Sequence, residues 1–89
     1  MDKYKPEELL DFPCHYQFKA IGLEGDDFKV AIIAAASKFV TVTENAVKCR
    51  PSGSGSYQAI SLSVTLNDYQ QLVDIYAEMR QVAGLKMLL

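Results

Sequence analysis

Hydrophobic and polar residues alternate over residues 15–21, a period that is typical of a strand with one buried face. Tyr16, Phe18 and Ala20 fall on one side, and His15, Gln17, Lys19 and Ile21 fall on the other. The segment Gly22-Leu23-Glu24-Gly25 ends the strand, and Asp26 or Asp27 is expected to cap a helix that runs to about Phe39. The buried stripe of this helix is predicted at helical spacing: Phe28, Ala31, Ile32, Ala35 and Phe39.

Two further strands are predicted in the middle of the chain. The first, over 44–50, is weak, with Val47 and Cys49 facing inward, and the loop residues 51–56 follow it. Residues 57–66 alternate cleanly, and one face collects the residues expected to be buried: Gln58, Ile60, Leu62, Val64 and Leu66.

A second helix and a short last strand complete the pattern. Asn67 is expected to cap the helix, with Gln70 completing a capping box. The buried stripe is predicted at Tyr69, Leu72, Val73, Tyr76 and Met79. Gly84 is expected to end the helix before a strand over 85–89.

The element order β-α-β-β-α-β predicts an α+β, ferredoxin-like domain. Its four antiparallel strands have the order 4-1-3-2, with both helices on one face. We expect residues 1–89 to form this single domain, with 1–12 as a loosely ordered lead-in whose Leu9, Leu10 and Phe12 contact the core. Cys14 and Cys49 then lie about 25 Å apart, too far for a disulfide, so two free thiols are predicted.

Composition and charge narrow the class of protein. The 89 residues are 49% hydrophobic and 22% charged, with a net charge of −2, which is ordinary for a globular domain. The first residues lack an apolar signal core, and no apolar run approaches the ~20 residues that span a bilayer. Two cysteines are few for a small secreted domain. We therefore expect a reduced, cytoplasmic protein that binds neither membranes nor nucleic acid.

No string of residues matches a catalytic or metal-binding motif. His15 and Cys14 are neighbours on a strand, so their side chains point to opposite faces. Cys49 is expected to be a small buried hydrophobe, and the serine-glycine hairpin lacks the lysine and the following helix of a phosphate loop. We predict no enzyme activity, no metal and no cofactor.

The sheet face without helices is predicted to be basic, although the protein is acidic overall. Its candidate partner-binding residues are Lys19, Lys48, Arg50, Ser52, Tyr57 and Lys86. An acidic partner or a second copy of the chain could bind there; the alternative is an ordinary solvated face, since lysine also keeps a sheet edge wet. RNA binding is not favoured, because Tyr57 at the rim is the only aromatic residue predicted on this face.

The loop before the first helix is a second candidate site, formed by Gly22, Glu24, Gly25 and Asp27. Its carboxylates lie near the positive end of the helix dipole, which stabilises them. They would repel a phosphate, but they could bind an amino group.

Several short strings resemble the YbeD-like family of small bacterial proteins of unknown function. They are Glu8-Leu9-Leu10-Asp11-Phe12-Pro13, Phe18-Lys19 with Gly22, Arg50-Pro51-Ser52 with Gly55 and Tyr57, Tyr76 with Glu78, and Met87-Leu88-Leu89. The resemblance implies a ferredoxin-like domain similar to ACT regulatory modules, and no known enzyme activity. The first helix departs from the family's pattern, because it is rich in alanine and lacks a histidine near its end.

Pattern and resemblance together favour a non-enzymatic regulatory or protein-interaction module, self-associating or bound to a protein partner through the open sheet face. The alternative is a small-molecule sensor. ACT modules bind amino acids near the corresponding loop at a subunit interface, so the resemblance implies a ligand of that class at the Gly22–Asp27 loop.

Overall fold

A four-stranded antiparallel sheet carries two helices on one face in a computed structural model, which describes residues 11–51 and 55–89. The elements are β1 (Cys14–Leu23), α1 (Asp26–Ser37), β2 (Val47–Pro51), β3 (Tyr57–Leu66), α2 (Tyr69–Arg80) and β4 (Leu85–Leu88). The strand order β2-β3-β1-β4 is the predicted order taken from the other edge, so the fold prediction is confirmed. Leu9, Leu10 and most of the predicted lead-in lie outside the described residues, and the extent of the domain stays a prediction.

The core lies between the sheet and the helices, on the face that the alternation of β1 and β3 predicts. Phe18, Ala20, Ile60, Leu62 and Leu66 are essentially without exposed surface. Phe28, Ile32 and Ala35 of α1, and Leu72 and Met79 of α2, join them in one cluster, and Phe12 packs against it partly buried. Because both helices lie on this face, the other face of the sheet is free of helices, and the strand register fixes the order of its side chains.

The predicted helix caps are each displaced by about one residue. Gly25, with φ +120°, precedes α1 in place of Asp26 or Asp27. Asp68 caps α2 in place of Asn67: its carboxylate accepts a hydrogen bond from the Gln71 backbone N–H at 2.9 Å. The Gln71 side chain accepts in return from the Asn67 N–H at 2.6 Å, so a capping-box arrangement exists, but it is shifted from the Asn67–Gln70 pair.

Element ends and one helix face also differ from the prediction. α1 ends at Ser37, before the β-branched segment that follows Phe39, and a 3-10 turn over Glu44–Ala46 delays β2 to Val47. α2 ends at Arg80, and Gly84 (φ +89°) instead forms the turn into β4. On α2 the buried stripe includes Ile75, which the pattern missed, whereas Val73 is exposed.

A tyrosine pair joins the sheet to α2. The Tyr16 and Tyr76 hydroxyls are 2.9 Å apart, and the Phe18 ring contacts both aromatic rings edge-on. Burial, together with the hydrogen bond to Tyr16, raises the pKa of Tyr76 well above that of a free phenol.

This raised pKa predicts a loss of stability in alkali. Above about pH 10 the unfolded phenol ionises while the folded phenol keeps its proton, so the free energy of unfolding falls as the pH rises. Urea unfolding of the wild type and of Tyr76→Phe between about pH 8 and pH 11 checks this. The wild-type curve should fall more steeply than that of the variant above pH 10, and two parallel curves would contradict the expected proton linkage.

Candidate functional site

The open sheet face is defined as the side of the sheet away from α1 and α2, and two of its rows of side chains run from β2 across β3 to β1. In one row Lys48 of β2 lies opposite Ser61 of β3, which lies opposite Lys19 of β1. In the next row Arg50 lies opposite Ala59, and Ala59 opposite Ile21. Since neighbouring strands are about 4.8 Å apart, the backbones of Lys19 and Lys48 are separated by roughly 10 Å, with only small side chains of β3 between them.

These residues enclose a shallow basic depression of about 660 Å³. Its lining consists of Gln17, Lys19, Lys48, Cys49, Arg50, Ala59 and Ser61. Lys19, Lys48 and Arg50 are all exposed. The one ion pair within residues 11–51 and 55–89 joins Lys38 to Glu78 at 2.7 Å on the helix side, so no carboxylate from that part of the chain neutralises the three cations. The depression therefore has a positive potential that favours an anionic group.

Two more of the predicted partner-binding residues are in contact on this face, near the end of β1. The Lys86 ammonium lies over the Tyr57 ring, 4.9 Å from its centroid. The pairing of β4 with β1 shifts between Ile21 and Gly22, and Lys86 lies within this irregularity, between Leu85 and Met87. Ser52 lies outside the described residues. The structure thus gathers Lys19, Lys48 and Arg50 around one depression and places the Tyr57–Lys86 pair beside it.

An apolar area borders the depression, and the sequence analysis missed it. Met87 lies opposite Ile21 on the same face, and Leu89 exchanges two backbone hydrogen bonds with Lys19. Leu23 is 51% exposed, Met87 50% and Leu89 57%. The alternation already directed Ile21 outward, but the facing of Met87 and Leu89 depends on the register of β4, which the pattern does not provide.

Gln58 is the one buried polar residue within the described chain, at 5% exposure. Its side-chain hydrogen bonds connect the Gly22–Asp27 loop to the sheet. Its amide nitrogen donates to the backbone carbonyls of Leu23 (2.9 Å) and Gly25 (2.7 Å). Its amide oxygen accepts from the Cys49 thiol. Every polar atom of this side chain is therefore engaged, as a buried amide requires.

The position of Cys49 corrects the sequence prediction of a buried thiol. Its pairing with Ile60 puts the side chain on the helix side, as predicted, but β2 is an edge strand of the sheet and Cys49 is exposed. Both cysteines are free thiols, which confirms that Cys14 and Cys49 are not joined.

Replacing Gln58 by leucine should loosen the loop, because the Leu23 and Gly25 carbonyls lose their donors while the volume is nearly kept. We expect the free energy of unfolding to fall by about 1–2 kcal/mol. Amide hydrogen exchange in residues 23–25 should accelerate. The matched control is Cys49→Ala, which leaves both donors of Gln58 in place and should not change exchange in the loop. Equal acceleration in both variants would contradict this role of the amide.

The four loop residues predicted to bind a ligand have distinct structural surroundings. Gly22 lies under the Phe28 ring, and the carbonyl of Gly25 is occupied by Gln58. The Glu24 N–H donates to the Ser56 carbonyl at 3.2 Å. Glu24 and Asp27 are exposed, and Asp27 belongs to the first turn of α1. The loop backbone is thus held by the sheet, and ligand binding by its two carboxylates stays a prediction.

A second cleft, of about 650 Å³, lies at the opposite end of β3. Its lining contains no lysine, arginine, aspartate or glutamate, and comprises His15, Phe39, Val40, Thr41, Thr43, Ala46, Ser63, Val64, Thr65, Asn67 and Gln71. His15 is engaged there through its Nδ1 with the Thr65 hydroxyl at 3.1 Å. This cleft lacks the concentration of cations that marks the depression on the open face.

Two searches of residues 11–51 and 55–89 bear on other classes of site. No group of three or more histidine, cysteine or acidic residues there is arranged to hold a metal ion. No helix in the same part of the chain is both long and apolar enough to cross a membrane.

Comparison with known proteins places this chain among bacterial relatives. A family model described as "Protein of unknown function (DUF493)" matches residues 7–89. A UPF0250 protein of Shewanella loihica is 32% identical over 85 residues, covering 96% of each chain. A UPF0250 protein of Idiomarina loihiensis is 26% identical over 89 residues, covering 100% of each.

Two solved structures share the fold at low sequence identity. The ACT domain from GTP pyrophosphokinase of Chlorobium tepidum superposes with a TM-score of 0.67 at 13% identity, covering 84% of this chain and 94% of that domain. The protein HP0495 of Helicobacter pylori gives a TM-score of 0.67 at 15% identity, covering 99% of this chain and 91% of that protein. The ACT-like architecture that the YbeD-like resemblance implies is therefore confirmed.

Proposed function

The chain belongs to the DUF493 family of proteins of unknown function, and from that premise we propose that it is a non-catalytic interaction module whose open sheet face binds an acidic protein partner. The observation that carries this function is the group of Lys19, Lys48 and Arg50 around Ser61, without a carboxylate from the described residues to neutralise it. Three like charges held close together repel one another, and an anionic partner relieves that repulsion.

The arrangement of the face supports a partner rather than plain solvation. Lysines that serve only to keep a sheet face solvated do not need to cluster around one point. Here three cations from β1 and β2 surround small side chains of β3. The low side chains of Ala59 and Ser61 leave a depression in which an acidic group can approach all three cations. An interface of this kind gains association rate and specificity from its charges.

We assign no catalytic step to this chain. Of the histidine and the two cysteines of the sheet, Cys14 packs against the core, on the face opposite to that of its neighbour His15. The other two side chains are engaged elsewhere, His15 with Thr65 and Cys49 with Gln58. A nucleophile needs a base within hydrogen-bond reach, and these two residues lie at opposite ends of the sheet in the strand register.

The alternative is an amino-acid sensor that uses Glu24 and Asp27, and likeness of fold to an ACT domain is its support. It is tested by titrating the twenty common amino acids and following the backbone amide signals. Specific shifts at Gly22, Glu24 and Asp27 would favour the sensor, and unchanged spectra across the whole panel would remove it.

The interaction function is tested with polyglutamate as an acidic probe. We expect amide shifts at Lys19, Lys48, Arg50 and Ser61 and none on the outer surface of α1. Binding should weaken by about tenfold or more between 50 mM and 500 mM salt, since exposed charges are screened. Polylysine of the same length is the control and should not bind; equal binding of both polymers, or shifts on the helix side only, would contradict the proposal.

A further inference from the structure

The open sheet face is divided into a basic half and an apolar half. Of the five exposed large hydrophobic residues within the described chain, three belong to the β1–β4 side of the sheet: Leu23, Met87 and Leu89. The other two, Val30 and Val73, are on different helices. Apolar side chains that gather on one uncovered face mark an interaction surface better than scattered ones do.

The strand register puts the two halves side by side. One row runs Arg50, Ala59, Ile21 and Met87 from β2 to β4. The next row runs Lys48, Ser61, Lys19 and Leu89. Three strand spacings separate the cations of β2 from the apolar residues of β4, or about 14 Å. An α-helix with its side chains is about 10–12 Å wide, slightly less than this distance. The long side chains of Lys48 and Arg50 can extend over the remainder, so one helix can contact both halves.

We propose that the partner segment is an amphipathic helix with an acidic edge, a refinement that rests on the function proposed above. Its apolar stripe packs on Ile21, Met87 and Leu89, and its glutamate or aspartate side chains pair with Lys48 and Arg50. Covering the open face in this way adds a third layer to the two-layer fold.

A helix fits this surface better than an extended segment. The open face is the flat side of a sheet whose backbone groups already bond between strands. An extended segment laid on it would leave its own N–H and C=O groups without partners, whereas a helix satisfies its own. Main-chain recognition of an extended peptide needs a free strand edge instead.

Charge excludes a symmetric contact between two of these faces. The side chains that β1, β2, β3 and β4 present on this face include no aspartate or glutamate within the described residues. Two such faces brought together would oppose cations to cations or to apolar side chains, and like charges without a counter-ion destabilise an interface. The acidic groups must come from a different surface, and they determine which edge of the helix faces β2.

The test uses three synthetic peptides of about 18 residues, of which the first two have one composition. The first places leucine at positions i, i+3, i+4 and i+7 with glutamate along one edge. The second has the same residues in scrambled order, and the third is the first with two central residues replaced by proline. We expect the first peptide to bind at least about tenfold more tightly than the others. Its amide shifts should include both Lys48 and Met87.

Variants separate this inference from the function on which it rests. Met87→Ser with Leu89→Ser should weaken the helical peptide by about tenfold and leave polyglutamate binding unchanged. Val30→Ser, on α1, is the matched control and should change neither. If the scrambled or proline peptide binds as tightly as the first, the proposal of a helical partner segment is contradicted and the acidic-partner function stands. If neither the helical peptide nor polyglutamate shifts this face, both fail.

Discussion

Reversing the charges of Lys48 and Arg50 to glutamate should weaken partner binding by roughly a hundredfold, because two attractive contacts of the interface become repulsive. The fold should tolerate the change: both side chains are exposed on the edge strand and neither has an ion pair within the described chain. Affinity capture from the native host, compared by quantitative mass spectrometry, measures the loss for each captured protein.

The matched control for this prediction reverses two cations on the helix side, Lys29 and Arg80. Their substitution by glutamate changes the net charge by the same amount and leaves the open face intact. A partner that responds to overall charge would be lost equally from both variants. Equal loss from Lys48→Glu/Arg50→Glu and Lys29→Glu/Arg80→Glu would therefore contradict a binding site on the open face.

Replacing Gly22 by valine should destabilise the fold by about 3 kcal/mol or more, near or above the top of the usual range for overpacking. A Cβ atom at Gly22 would collide with the Phe28 ring and come within 2.7 Å of the Gly84 carbonyl oxygen. The collision involves backbone as well as side chain, so rotation of one side chain does not relieve it. Urea unfolding measures the loss.

A double-mutant cycle distinguishes packing from a ligand role for Gly22. Phe28→Ala removes the ring and should itself cost about 3–5 kcal/mol. If the contact with this ring is the cause, Gly22→Val should cost clearly less in the Phe28→Ala background than in the wild type. Strictly additive losses would mean that Phe28 is not the reason for a glycine here.

The layered architecture could be predicted from the sequence because the alternation of β1 and β3, the two central strands, shows which face of the sheet is buried. β3 alternates without exception from Tyr57 to Leu66, and its buried set is the predicted one. With the face of β3 known, the element order leaves few topologies, and the outward direction of Lys19 follows from the period of β1. The basic character of the open face could therefore be predicted before any coordinates.

The features that escaped prediction depend on contacts distant in sequence or on single-residue choices. Asn67 and Asp68 are equally good caps by residue type, and only the position of Gln71 decides between them. The exposure of Cys49 depends on how far the helices reach over an edge strand. The hydrogen bond from Gln58 to the carbonyl of Gly25 spans 33 positions. No local pattern carries such information.

Site-specific photo-crosslinking in the native host tests the central claim, that the open sheet face is the partner surface, most directly. A photoreactive amino acid replaces Gln17, which lines the basic depression, or Ala34, which is exposed on α1. We predict a covalent adduct with a host protein from the Gln17 position that is absent from the Ala34 position and is lost when Lys48 and Arg50 are reversed. An adduct from Ala34 with none from Gln17 would contradict the account.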